Sequence, residues 1–106
     1  MSIEDLDPII HAPKRFGAMA VLAGTEWVEF AFLRDHLKVK DADLSKQMTA
    51  LTDAGYVKSR KSKVGRGGKT WFTVTKKGRS AFTAHVAALQ AVVEQANQGS
   101  TDAVPT

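Results

Sequence analysis

Three glycines within four residues, Gly65, Gly67 and Gly68, lie between two runs with the composition of β-strands. No other stretch narrows the possible folds of this chain so far. Residues 56–64 alternate mostly polar side chains, and Thr70-Trp71-Phe72-Thr73-Val74 is dense in β-branched and aromatic ones, which suit a pleated surface. The tip, Val64-Gly65-Arg66-Gly67-Gly68-Lys69, must reverse the chain, and glycine reaches the positive-φ conformations that reversals use. A β-hairpin is expected here. The residues just upstream, Ala42 to Ala54, space Leu44, Met48 and Leu51 four and three apart, which predicts a helix with one buried stripe. Gly55 is placed to end it in the left-handed conformation, and Asp41 to cap its start.

The hairpin lies in a region of one-sided charge. Between Ala54 and Val93 there are nine lysines and arginines and no aspartate or glutamate. Residues 1–53 carry six Lys/Arg against nine Asp/Glu, a net of −3, while residues 54–106 carry nine against two, a net of +7. A chain polarised in this way points its anion-seeking face with its second half. At 106 residues the sequence is of one-domain size. The absence of cysteine excludes disulfides, thiolate nucleophiles and cysteine-ligated zinc. The acidic start, Met1 to Asp7, has no apolar core for a signal peptide, and no apolar run reaches the ~20 residues of a membrane span. A cytoplasmic protein without a membrane partner is expected.

The remaining elements follow from periodicity and punctuation. Asp7-Pro8 predicts a helix start, and Ile9, Ile10, Phe16, Met19 and Leu22 give one broad apolar face up to Gly24, with a local bend at Pro13. Trp27-Val28 reads as a short strand or an extended bridge. A second helix is expected over Glu29–Leu37, followed by a turn at Lys38-Val39-Lys40. Thr75 reads as the N-cap of a last helix, with Phe82, Val86, Leu89 and Val93 in register to about Gln95. The domain is expected over residues 6–96, and the small polar residues of 97–106 predict a disordered tail. The order is an α+β fold: a three-helix unit, a β-hairpin wing and a C-terminal helix, the winged helix-turn-helix arrangement.

Placed on that arrangement, the candidate contacts to double-stranded DNA are Lys40, Ser45, Lys46, Gln47 and Thr49 on and before the third helix. Lys61, Lys63, Arg66 and Lys69 join them on the hairpin. A small polar helix face enters a major groove without clash: lysine reaches guanine or phosphate, hydroxyls reach phosphates or base edges, and a glutamine amide can pair with adenine. Arg66, flanked by glycines, is the residue placed for a minor groove, whose negative potential attracts arginine. Ile9, Ile10, Phe16, Phe82, Val86, Leu89 and Val93 offer more apolar surface than one small core requires, and a homodimer interface is expected to bury it.

Other chemistries find little support. Gly68-Lys69-Thr70 looks like the end of a phosphate-binding loop, but Lys63 stands where that motif needs glycine, and a strand follows where it needs a helix. His11, His36 and His85 lie on three expected helices without ligand spacing, and no carboxylate pairing suggests acid–base work. No enzymatic activity, cofactor or metal is expected. Trp71 and Phe72 point to opposite faces of one strand, so an aromatic platform for single-stranded RNA is not expected. A winged helix that docks a protein partner, without discriminating among duplexes, is the alternative class.

Two segments resemble a known family. The run from Leu44 to Val57, Leu-Ser-Lys-Gln-Met-Thr-Ala-Leu-Thr-Asp-Ala-Gly-Tyr-Val, is similar to the recognition-helix signature of MarR-type winged-helix regulators. Thr73-Val74-Thr75-Lys76-Lys77-Gly78-Arg79-Ser80-Ala81-Phe82 resembles that family's Leu-Thr-x-x-Gly-Arg-x-x-Phe element. The likeness covers most of residues 6–93 and points to a compact branch of about 100 residues, without the long helical arms of larger members. It implies a homodimeric transcription factor, usually a repressor, on a pseudo-palindromic operator. Ser45, Lys46, Gln47 and Thr49 would then meet the major groove, and Arg66 would lie in the wing. The sequence assigns no small-molecule effector, no operator and no regulated gene.

Overall fold

The computed structural model describes residues 3–62 and 68–103. A 3-10 turn, Ile3–Asp5, precedes α1 (Pro8–His11) and α2 (Pro13–Ala23). A two-residue strand β1 (Val28–Glu29) leads into α3 (Phe30–Leu37), and α4 (Asp41–Asp53) is the expected third helix. Strands β2 (Val57–Lys61) and β3 (Thr70–Val74) form the hairpin, and α5 (Lys76–Ala103) closes the chain. The three strands form one antiparallel sheet in the order β1-β3-β2, so the more apolar hairpin strand is central. The α+β winged arrangement expected from the sequence is the observed one.

Three boundaries differ from expectation, each for a local reason. Pro13 divides the first helix rather than bending it. A residue before proline is disfavoured in the α region, and Ala12 is extended at φ −62°, ψ 129°. Asp41 does not cap α4: Lys40 holds the cap position in an extended conformation without a side-chain cap, and Asp41 begins the helix. The last helix runs to Ala103, well past Gln95, so residues 97–103, expected as tail, are its final turns. Polar composition alone does not end a helix once formed, because each added residue gains a hydrogen bond.

The core lies between the helices and one face of the sheet. Ile10, Met19, Leu22, Leu33, Leu44, Met48 and Leu51 are all essentially inaccessible. Each contributes about 1.5–3 kcal/mol through burial. Val57, Phe72 and Val74 line the inner face of the sheet by strand alternation. Ile10, expected at a dimer interface, is instead a fully buried core residue of the monomer. Phe16 and Phe82, expected there too, meet each other with ring centroids 5.7 Å apart and join α2 to α5. From Val93 to Gln98 every residue of α5 is exposed, and the molecule measures 68 × 26 × 20 Å. Among the described residues no helix is long and apolar enough to cross a membrane.

One junction ties the two halves together. Gly55 takes φ +80° at the end of α4, and Tyr56 N–H donates to the Leu51 carbonyl. The Tyr56 carbonyl accepts from Thr75 N–H at 2.9 Å, and the Thr75 hydroxyl donates to the Gly55 carbonyl at 2.7 Å. The same hydroxyl accepts from Gly78 N–H at 3.0 Å, so Thr75 caps α5 as expected. Tyr56 Oη donates to Asp7 Oδ2 at 2.5 Å, while Asp7 Oδ1 accepts from Ile9 N–H and Ile10 N–H and caps α1. That bond to Asp7, with partial burial, pushes the Tyr56 phenol up to about 12. Asp7 N–H in turn donates to His85 Nδ1 at 3.0 Å. His85 is buried against the rings of His11 and Phe16, and its Nε2 has no hydrogen-bond partner among the described residues.

Gly78 leaves no room for a side chain, since a Cβ there would stand 2.1 Å from the Tyr56 carbonyl oxygen. Because that obstacle is backbone, Gly78→Ala should lose about 3 kcal/mol or more in urea unfolding, or fail to fold. Gly24→Ala, whose Cβ would approach nothing closer than 3.8 Å, should stay within about 0.5 kcal/mol of the parent.

Burial, reinforced by nearby His11 and opposed by Asp7, holds the His85 imidazole below its ordinary range near 6.5. The unfolded chain therefore takes up a proton that the native protein refuses, and stability present above pH ~6.5 is lost as pH falls below it. Urea midpoints measured between pH 7.5 and 5 should fall more steeply for the parent than for His85→Gln, which does not titrate.

Candidate nucleic-acid interface

The surface between α4 and the hairpin brings together residues that the sequence placed on separate elements. Ser45, Thr49 and Thr52 on α4 and Ser59, Lys61 and Thr70 on the hairpin share one cleft of about 380 Å³, floored by Phe30, Met48 and Phe72. The helix supplies its share because Leu44, Met48 and Leu51 are drawn into the core, which turns positions 45, 49 and 52 outward. The strand supplies Ser59 and Lys61 because they share the parity of the buried Val57. Lys46 is exposed beside Ser45, and Lys40 is exposed at the helix start. Lys63 and Arg66 lie outside the described residues.

Gln47 behaves differently from its neighbours. Its Oε1 accepts from Arg15 Nη1 at 2.9 Å and its Nε2 donates to Asp43 Oδ1 at 2.9 Å. Arg15 Nε also donates to the Ile9 carbonyl at 2.6 Å, so Gln47 belongs to a bridge joining α1, α2 and α4. Both its amide oxygen and its amide nitrogen are engaged there.

The start of α4 carries Asp41 and Asp43, a favourable sign at a helix N-terminus but an unfavourable one beside phosphate. Both are paired. Arg34 Nη1 reaches Asp41 at 3.1 Å, and Lys14 is ion-paired with Asp43. The Lys14 hydrogen bond, then that of Gln47, holds the Asp43 carboxyl below the usual carboxylate range. These surface pairs add little stability, but they offset the negative charge at the end of the helix nearest Lys40 and Lys46.

The nine-cation run, one block in sequence, divides in space. Lys61 faces the cleft, whereas Arg60 lies on the opposite face of the sheet with its guanidinium 4.8 Å from the centre of the Trp27 ring. Lys69 approaches Glu29 at 3.9 Å, and its N–H donates to Ser62 Oγ at the base of the hairpin. Lys77 lies over the Tyr56 ring, and Arg79 Nη1 donates to the Ala23 carbonyl at the end of α2. Strand parity could have separated Lys58 and Arg60 from Lys61. Nothing in sequence spacing announces the Arg79 or Gln47 contacts, which join residues 56 and 32 positions apart.

A helix exposing Ser45, Lys46 and Thr49, set against a hairpin exposing Lys61, is the geometry of a winged helix, and the winged helix DNA-binding domain model matches residues 14–93. The chain belongs to the winged helix DNA-binding domain family. An uncharacterized protein of Methanocaldococcus jannaschii is 32% identical to this winged-helix chain over 78 residues, covering 74% of this chain and 85% of its own. A transcriptional regulator homologue from Pyrococcus horikoshii OT3 shares the fold with a TM-score of 0.77 at 24% identity, over 82% of this chain and 86% of its own. ZitR of Lactococcus lactis, a zinc-responsive MarR family member, does so with a TM-score of 0.57 at 20% identity, over 89% of this chain and 62% of its own. The winged-helix fold that the sequence resemblance implied is thus shared with ZitR in three dimensions.

Proposed function

We propose that this winged-helix protein is a cytoplasmic, sequence-specific regulator of transcription, a repressor that binds a pseudo-palindromic operator as a homodimer. The observation that carries the reading is the shared cleft, in which the outward face of α4, with Asp53 at its far end, and the inner edge of the hairpin, with Lys61, form one surface. In this reading α4 enters the major groove with Ser45, Lys46 and Thr49, and Lys40 meets a flanking phosphate. Lys61 and Lys69, with Lys63 and Arg66 of the tip, follow the backbone and reach the adjacent minor groove. Gln47 holds α4 in place, through Arg15, for the residues that read.

The homodimer is proposed along the middle of α5. Val86, Leu89 and Val93 recur at helical spacing, and Val93 is 56% exposed. A second copy packed along this stripe would bury it and set two α4 helices at a fixed separation, as a two-fold operator needs. Ile10 is already buried inside the monomer, while Phe16 and Phe82 meet each other and remain half-buried.

Selection from a random duplex pool should return a pseudo-palindrome, and affinity for it should fall steeply with salt. Lys61→Ala should lower the slope of log K against log salt by about 0.9, the value of one released phosphate contact, without altering sequence choice. Lys46→Ala should weaken binding and relax choice within the half-site. Recovery of no preferred sequence would favour the protein-docking alternative. For the dimer, Leu89→Glu and Val93→Glu together should shift sedimentation to a monomer while leaving the thermal unfolding of the body nearly unchanged.

A further inference from the structure

The face of the sheet turned away from the core carries chemistry that DNA binding does not use. Trp71, on the central strand, stands in register with Glu29 on one side and Arg60 on the other. Trp27 precedes β1 on the same face, and Phe32 of α3 is 54% exposed beside it. Thr25, Trp27, Val28, Glu29, Phe32 and Trp71 wall a cleft of about 340 Å³. The sequence put Trp71 and Phe72 on opposite faces of one strand; the fold brings Trp71 together with Trp27 and Phe32.

The charges divide this face. Arg60 occupies the β2 side, where Trp27 already holds its guanidinium by a cation–π contact. On the β1 side, Glu29 is the one charged residue among those lining the cleft. Lys69 is ion-paired with it at 3.9 Å, the long end of the range, so a ligand cation would take the place of Lys69. Three aromatic side chains and one carboxylate select against most ligands. An anion meets repulsion from Glu29, and a metal ion finds a single carboxylate and no second ligand of that kind. A neutral apolar molecule gains contact but none of the electrostatic attraction. A weakly hydrated organic cation gains both, its methyl groups lying on the rings and its charge meeting Glu29. The volume is at the small end of the ~300–1,000 Å³ of ordinary ligand sites.

We infer that the outer cleft formed by Trp27, Phe32, Trp71 and Glu29 binds a small quaternary or alkylated ammonium ion. The inference is independent of DNA binding and is tested without DNA.

Trp27 and Trp71 are the two tryptophans of the chain, so intrinsic fluorescence reports on this cleft directly. The full chain is titrated with choline chloride at constant ionic strength, and in parallel with 3,3-dimethylbutan-1-ol, its uncharged isostere. Choline should give a saturable change in emission and bind roughly tenfold more tightly than the alcohol, the worth of a cation–π contact supported by one carboxylate. Glu29→Gln should weaken choline binding severalfold and leave the alcohol unaffected, and Phe32→Ala should weaken both. Phe32 is exposed and Glu29 partly so, and unchanged circular dichroism confirms that the variants fold. Equal binding of choline and the alcohol, a choline response that survives both substitutions, or no saturable response through the millimolar range would each overturn the inference. So would an emission change produced by dilution alone, which would mean that a second copy covers the cleft.

Discussion

The approach of the α5 backbone to Tyr56 is the constraint on which the rest of the structure depends. Gly78 lets the first turn of α5 rest against the Tyr56 carbonyl, and that carbonyl is also the acceptor for Thr75 N–H. Helix α4 therefore ends, the hairpin begins and ends, and the last helix starts within one hydrogen-bonded knot. Gly55 at φ +80° supplies the turn that brings Tyr56 there. Tyr56 then reaches Asp7, so the chain start is fastened to the same knot, and His85 fastens α5 to Asp7 from the other side. Removing the close approach would loosen α4, β2, β3 and α5 relative to one another at once. The spacing between α4 and the hairpin, which makes the candidate interface, has its origin here.

That knot gives a physical account of the two segments that carry the family resemblance. Ala54-Gly55-Tyr56-Val57 and Thr75-Lys76-Lys77-Gly78-Arg79 are separate in sequence, but they form the two halves of one contact. Glycine at 55 meets a conformational demand and glycine at 78 a steric one, which are different uses of the same residue. Threonine at 75 is suited because a hydroxyl both donates to Gly55 and accepts from Gly78. Arg79 extends the contact to the last carbonyls of α2, a helix end where a cation is favourable.

Much of this was legible from local pattern, and the misreadings share a cause. Helix stripes, the central hairpin strand, the left-handed Gly55 and the Thr75 cap depend on residues within a few positions of each other. Periodicity and turn chemistry carry such information. The roles of Ile10, Phe16, Gln47 and Arg79 depend on which elements face each other, and no local pattern carries that. Ile10 is as apolar as a dimer contact needs to be, but it is the one residue of the short α1 that is turned fully into the core once Pro13 breaks the helix. Gln47 has the right spacing for a groove-facing amide, but Arg15, thirty-two residues earlier, lies within reach of it. Composition also misplaced the end of α5, since polarity describes what a segment buries rather than whether its backbone stays helical.

The hairpin shows how one short element can serve two surfaces. Alternate residues of β2 and β3 face opposite sides, so Ser59, Lys61 and Thr70 join α4 while Arg60 and Trp71 join Trp27. Register holds the two sets apart: Lys61 pairs with Thr70 and Arg60 with Trp71. A slip of one residue would exchange them, placing Arg60 in the cleft and Lys61 among the tryptophans, with polar Lys58 and Ser62 turned with them. The buried Val57 opposes such a slip, because it would turn outward while Lys58 is driven into the core beside Phe72 and Val74. The same apolar residues that hold the sheet to the helices thus decide which cation faces which partner. Charge density by itself could not have assigned those roles, because it counts lysines and arginines without regard to parity.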